Sequence, residues 1–178
     1  MKSGILIVVL AAMALAIVAT PDTHAKAWWG WGSHGMNMRL AGSSFVVSTV
    51  EDGTPKQLPP FTSVQNGIAK GKSGGAQFRA QTVAGVAIPE DLCPEALPFG
   101  GPLTVTFVLT YNDGSILSGW GGPETNSYCT DGGDVSVSEF TGIITGGDKR
   151  FEGATGTWTA SARIDEARVT GDIEIDLD

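Results

Sequence analysis

A chain of 178 residues is long enough for one domain with a substantial core. Hydrophobic residues make up 42%, near the globular norm, while 25 glycines is about twice average usage and, with many Thr, Val and Ile, argues for strands and tight turns. A formal net charge of −8 excludes a nucleic-acid grip, which needs clustered Lys and Arg, and gives no attraction to an anionic membrane surface.

The first segment has the layout of a signal peptide. Lys2 supplies a short positive region, and Ile5 to Ala19 (ILIVVLAAMALAIVA) is an unbroken apolar run. Pro21 ends it, and two small-x-small sites follow, Thr23-His24-Ala25 and Ala25-Lys26-Ala27. The run falls short of the ~20 residues of a membrane span. Residues 1–25 are therefore expected to leave, with cleavage after Ala25 or Ala27, giving a secreted or periplasmic protein without membrane contact. In such a compartment Cys93 and Cys129, the only cysteines, read first as a disulfide. Closing that loop is worth roughly 3–4 kcal/mol on the chain-entropy argument. A reactive thiol is the alternative, though no histidine lies near either cysteine in sequence.

Residues 26–42 (KAWWGWGSHGMNMRLAG) lack clean periodicity and read as an irregular Trp/Gly-rich arm. Trp28, Trp29 and Trp31 either pack against the domain or offer a stacking surface. From Ser43 the chain reads as strands. Ser43–Val50 is one. Residues 53–75 hold Pro55, Pro59 and Pro60 and suit a long loop with one short strand near Phe61–Val64. Over Ala76–Ile88, alternation places Ala76, Phe78, Ala80, Ala84, Val86 and Ile88 on one face. Residues 89–102 carry four prolines and Cys93 and read as a loop. Leu103–Tyr111 is the clearest hairpin arm, with Leu103, Val105, Phe107, Leu109 and Tyr111 facing one way. Asn112-Asp113-Gly114 supplies its turn and Ser115–Trp120 its return strand. A Gly/Pro/Asn loop follows, through Cys129 to Asp134. Val135–Thr145 changes phase at Ser138-Glu139, which predicts a β-bulge. Ala154–Ile164 puts Trp158, Ala160, Ala162 and Ile164 on one face. The last strand sets Val169, Gly171, Ile173, Ile175 and Leu177 against Thr170, Asp172, Glu174, Asp176 and Asp178. Seven or eight short strands without an amphipathic helix leave a sandwich or a barrel.

One stretch narrows that choice. Residues 142–156, Gly-Ile-Ile-Thr-Gly-Gly-Asp-Lys-Arg-Phe-Glu-Gly-Ala-Thr-Gly, resemble the hallmark of the allene oxide cyclase and dirigent barrel superfamily, G-x-I-x-G-G-T-G-x-F-x-G-A-x-G. Gly146, Gly147, Phe151, Gly153, Ala154 and Gly156 fit the pattern, and Asp148-Lys149 departs from its Thr-Gly. The Asp113-Gly114-Ser115 turn and the closing Gly171-Asp172-Ile173 are also similar. The resemblance covers residues 43–178, with its specificity in 142–156. It implies an all-β fold, a single closed antiparallel barrel of about eight strands with an apolar interior, of an exported bacterial type. Plant relatives guide cyclisation of an epoxide or coupling of phenoxy radicals, and relatives often form dimers or trimers, so the resemblance leaves a homo-oligomer open. The matched residues are turn and packing positions, and none of the plant active-site residues carries over.

The residues themselves offer little chemistry. No nucleophile elbow, phosphate loop, dinucleotide fingerprint or zinc-protease motif is present. No cofactor is expected. His34 is the one histidine after the expected cleavage, so a histidine-rich metal site is excluded. Asp131-Gly132-Gly133-Asp134 lacks the spacing of a calcium loop. The barrel interior is the remaining place for function. Phe107, Leu109, Tyr111 and Trp158 either line a cavity there, with Glu139 drawn near it by the phase break, or fill the core, with Tyr111 at the rim and Glu139 in solvent. The reading that follows is a barrel binding a small apolar or aromatic molecule without catalysis. The alternatives are a cyclase or isomerase using the interior as a template, and a glycan- or protein-binding surface on the Trp28–Trp31 arm.

Overall fold

The computed structural model describes residues 35–49, 60–72, 74–89 and 93–178. The expected signal peptide, residues 1–25, and Trp28, Trp29 and Trp31 lie outside them. The described residues form strands β1 (Met36–Thr49), β2 (Phe61–Gly71), β3 (Gly74–Ala84), β4 (Ile88–Pro89), β5 (Phe99–Tyr111), β6 (Ile116–Gly121), β7 (Ser127–Thr130), β8 (Val135–Asp148), β9 (Gly156–Asp165) and β10 (Arg168–Leu177). Every pairing is antiparallel, and the path β3-β2-β1-β10-β9-β8-β6-β5 closes where β5 pairs β3. Two staves of the resulting barrel are built from strands laid end to end. β6 and β7 both bridge β5 and β8, and β4 continues along β5 beyond the end of β3. The fold is thus a closed antiparallel barrel of eight staves, which leaves no long unpaired edge.

Inward residues alternate along each stave and fill the lumen. Met38, Ala69, Ala76, Phe78, Val105, Phe107, Leu109, Leu117, Trp158, Ile173 and Ile175 form one buried cluster. The aromatic centre fits because the facing wall is glycine. A methyl group on Gly119 would lie 2.7 Å from Phe107 Cζ and 2.9 Å from Trp158 Nε1, and one on Gly142 would lie 2.8 Å from the same nitrogen. The Phe107 and Trp158 rings meet edge to face at 5.0 Å, and Trp158 Nε1 donates to the Ile143 carbonyl at 3.1 Å. At one end of the barrel Tyr111 packs on Phe151 with centroids 5.1 Å apart, and the Arg150 guanidinium lies 4.2 Å from the Tyr111 ring centre.

Several expectations are corrected. Residues 36–42 are not an irregular arm but the first half of β1, with Met36, Met38 and Leu40 turned inward against β10. Residues 61–71 are a full strand rather than a short one within a loop, and β5 begins at Phe99, inside the proline-rich stretch. Cys129 sits in β7 rather than in a loop. It is disulfide-bonded to Cys93, with Cα atoms 5.7 Å apart, which fixes the 93–98 segment to the barrel wall. The inward set of β3 does not run on to Ile88. From Ala84 to Ile88 four steps oppose the three from Leu103 to Gly100, so one extra residue flips the parity and leaves Ile88 exposed.

The bulge expected at Ser138-Glu139 is absent. The β8–β9 ladder runs in unbroken register from Val135 to Ile143. The inward residues there are Ser136, Ser138 and Phe140, while Val135 and Val137 face outward. The irregularity lies seven residues on, within the glycine-rich stretch 142–156. Ser118 pairs with Gly146 and Gly119 with Ile144, leaving Thr145 as the extra residue. Gly146 takes a φ of 142°, which a side chain would resist. Gly147, Gly153, Ala154 and Gly156 then frame the short 3-10 turn Lys149–Phe151 that buries Phe151. Lys149, standing where the pattern has glycine, holds a φ of 55°. The Asp148 carboxylate accepts its N–H at 2.7 Å, and its Nζ donates to the Asp113 carbonyl at 3.0 Å.

Candidate functional site

The half of the lumen away from the Tyr111–Phe151 end holds a cavity of about 70 Å³. Its wall is largely apolar: Phe78, Val105, Phe107, Leu109, Phe140, Trp158, Ala160 and Ile173 contribute. The volume is under half the ~150 Å³ of an apolar cavity that admits benzene, so a ring of that size needs the surrounding side chains to turn.

Part of the wall is polar, and it comes from strands with an inverted pattern. In β2 the polar Ser63 and Gln65 point inward while Val64 and Ile68 point out, and β3 adds Thr82. The hydroxyls of Ser63 and Thr82 are 2.6 Å apart. Gln65 Nε2 donates to Ser63 Oγ at 2.8 Å and to Thr82 Oγ1 at 3.1 Å. Gln65 is 6% exposed, and its Oε1 has no hydrogen-bond partner among the described residues. A buried acceptor left in that state costs about 1–3 kcal/mol. Ser136 and Ser138 of β8, four staves away across the lumen, add two further hydroxyls to the cavity wall.

The buried tyrosine here is Tyr128. Its hydroxyl donates to the Gly85 carbonyl at 3.1 Å, and its ring meets Phe61 edge to face at 5.6 Å. Burial pushes its pKa up to about 12, so it stays protonated at neutral pH. The wall therefore offers hydroxyls, one amide and aromatic faces. These groups bind and orient a molecule but do not exchange protons near neutral pH.

The residues expected to line the interior divide into two sets. Phe107, Leu109 and Trp158 border the cavity. Tyr111 is buried but belongs to the opposite end, under Arg150. There burial raises its pKa, more than the neighbouring guanidinium lowers it. Glu139 is corrected outright. It is exposed on the outer wall, paired in register with Ser127 and Ser161, because no bulge turns it inward. Gln65, Ser63 and Thr82 escaped notice because a polar residue between Val and Ile reads as the wet face. The signal that fixes β2's parity is Gly67, where a methyl group would lie 2.6 Å from Phe78 Cε1 in the core.

Among the described residues no group of three or more His, Cys, Asp or Glu is placed to hold a metal. The Asp131 carboxylate is engaged by its own loop, accepting from the N–H groups of Gly133 at 2.8 Å and Val135 at 3.2 Å, and the Gly133 bond leads in lowering its pKa. Among the described residues no helix is long and apolar enough to cross a membrane.

No family model matches the chain, and no curated protein matches it. Among solved structures, the chain is similar to a pterocarpan synthase dirigent protein at 17% identity. The alignment covers 82% of this chain and 89% of that one, with a TM-score of 0.41. The likeness is one of fold alone.

Proposed function

We propose that this protein is an exported barrel that binds a small, neutral, largely apolar molecule in its lumen and does no chemistry on it. The observation that carries the reading is the cavity bordered by Phe78, Phe107, Phe140 and Trp158 in a core that is otherwise filled. Concave sites of this make-up, apolar with a few convergent polar groups, are where small barrels hold ligands. Export is supported by the Cys93–Cys129 bond, which persists in oxidising compartments.

The test is a titration of the protein with benzene, toluene and cyclohexane, followed at the Trp158 indole N–H by nuclear magnetic resonance. Saturable shifts at Trp158 and at the methyls of Leu109 and Ile173 are expected, with none at the outer residue Trp120. Absence of saturable shifts with all three probes would end the reading. Export is checked by the mass of the protein recovered outside the cytoplasm, which should begin after Ala25 or Ala27. Recovery of the full chain in the cytoplasm alone would contradict it.

A further inference from the structure

Gln65 is the one buried amide whose bonding is incomplete at the cavity. Nε2 reaches both Ser63 Oγ and Thr82 Oγ1, and because those oxygens are themselves 2.6 Å apart, one N–H is shared between the two hydroxyls. This three-residue contact holds the amide against the wall. Its acceptor, Oε1, on a side chain that borders the cavity and is 6% exposed, has no partner among the described residues. No lysine, arginine or histidine borders the same space among the described residues. A ligand anion would therefore gain no ionic partner there, and a carbonyl oxygen brought to Oε1 would meet a second acceptor. A hydroxyl or N–H brought to the same atom completes the network.

We infer that the lumen selects a neutral molecule with a hydrogen-bond donor, of the alcohol class, whose hydroxyl is accepted by Gln65 Oε1 while its apolar body lies against Phe107 and Trp158. This rests on the binding reading above and adds a direction to it. Ser63 and Thr82 act as positioning residues, since they hold the amide with its oxygen free. Oε1 is shielded from water, so the hydroxyl reaches it in the same side-chain rearrangement that admits a six-membered ring. Discrimination follows from the asymmetry of hydrogen bonding: a buried acceptor left unpaired by the wrong ligand penalises that ligand.

The experiment compares cyclohexanol, cyclohexanone and methylcyclohexane by calorimetry and by the Trp158 indole signal. In the wild-type protein, cyclohexanol should bind at least tenfold more tightly than cyclohexanone, which has similar size and polarity but no donor. In Gln65→Leu the ratio of cyclohexanol to methylcyclohexane affinity should fall at least tenfold. Equal binding of cyclohexanol and cyclohexanone, or tighter binding of the ketone, overturns the inference while leaving a binding barrel in place. Binding of none of the three overturns both. If Gln65→Leu does not fold, the wild-type comparison of alcohol with ketone decides the matter alone.

Discussion

Substituting Gly119 by alanine adds one methyl group at the most crowded point of the lumen. Its Cβ would stand 2.7 Å from Phe107 Cζ and 2.9 Å from Trp158 Nε1, inside any normal contact. Neither ring yields without breaking a contact. Trp158 is held by its bond to the Ile143 carbonyl, and the two rings are locked edge to face at 5.0 Å. Either β6 shifts, straining its ladders with β5 and β8, or the rings swing toward the 70 Å³ cavity beside them. Overpacking of this kind costs about 1–3 kcal/mol, and about 2 kcal/mol lowers the melting temperature by roughly 4–8 °C in a domain of this size. The matched control is Gly75→Ala. There the nearest atom to the new methyl is the Ala69 carbonyl oxygen at 3.7 Å. That change should be neutral or stabilise by about 0.5 kcal/mol through the unfolded chain. Urea denaturation of both variants checks the pair. If Gly119→Ala loses no more stability than Gly75→Ala, the aromatic centre is not packed on glycine as described. If the rings do swing, toluene affinity should fall alongside stability.

Replacing Cys93 and Cys129 together by serine should cost about 2–4 kcal/mol in urea, from a loop with a sequence separation of 36, and a loss below 1 kcal/mol would show the segment is held by other means. Tyr128 titrates near 10 when unfolded and at about 12 when folded, so its contribution is complete below pH 10 and is lost as pH rises toward 12. Denaturation curves between pH 9 and 12 should therefore show a decline that is smaller in Tyr128→Phe, and an identical decline would assign it elsewhere. Lys149→Gly removes a left-handed side chain at a φ of 55° and sacrifices an exposed bond to Asp113. The net expectation is a gain of about 0.5 kcal/mol, and a loss of that size would contradict the strain argument. Glu139→Gln should change neither stability beyond about 0.5 kcal/mol nor ligand affinity, since the carboxylate lies on the outer wall, and a tenfold loss of affinity would return it to the site.

The barrel is legible in the sequence where a strand has one apolar face and the other is made mostly of threonines, as in β5, or carries charges, as in β10. β5 and β10 are such strands, and the Asn112-Asp113-Gly114 turn fixes one end of β5 without tertiary information. Their inward sets, Leu103 to Tyr111 and Val169 to Leu177, stand as the alternation places them. Legibility fails on β2 and the first half of β8. There Ser63, Gln65, Ser136 and Ser138 face the lumen while Val64, Val135 and Val137 do not. Burial in these strands is decided by partners in the barrel, since a hydroxyl can be satisfied by another hydroxyl across a ladder, as Ser63 is by Thr82. No single-strand pattern contains that partner.

The position of a one-residue insertion matters for the same reason. Placing the β8 irregularity at Ser138-Glu139 brings a carboxylate to the lumen. Placing it at Thr145 leaves Glu139 outside and two serines inside. The two placements differ by seven residues and give the same cavity different walls, one with a carboxylate and one with two hydroxyls. The apolar residues at the start of β8 cannot separate them, because Val135 and Val137 suit an exposed sheet face as well as a core. The glycine at 146 can. A φ of 142° is open to glycine and resisted by side chains, so Gly146 is a residue able to take up the irregularity beside Thr145. That place, more than any polar side chain, is what keeps the Glu139 carboxylate out of the lumen.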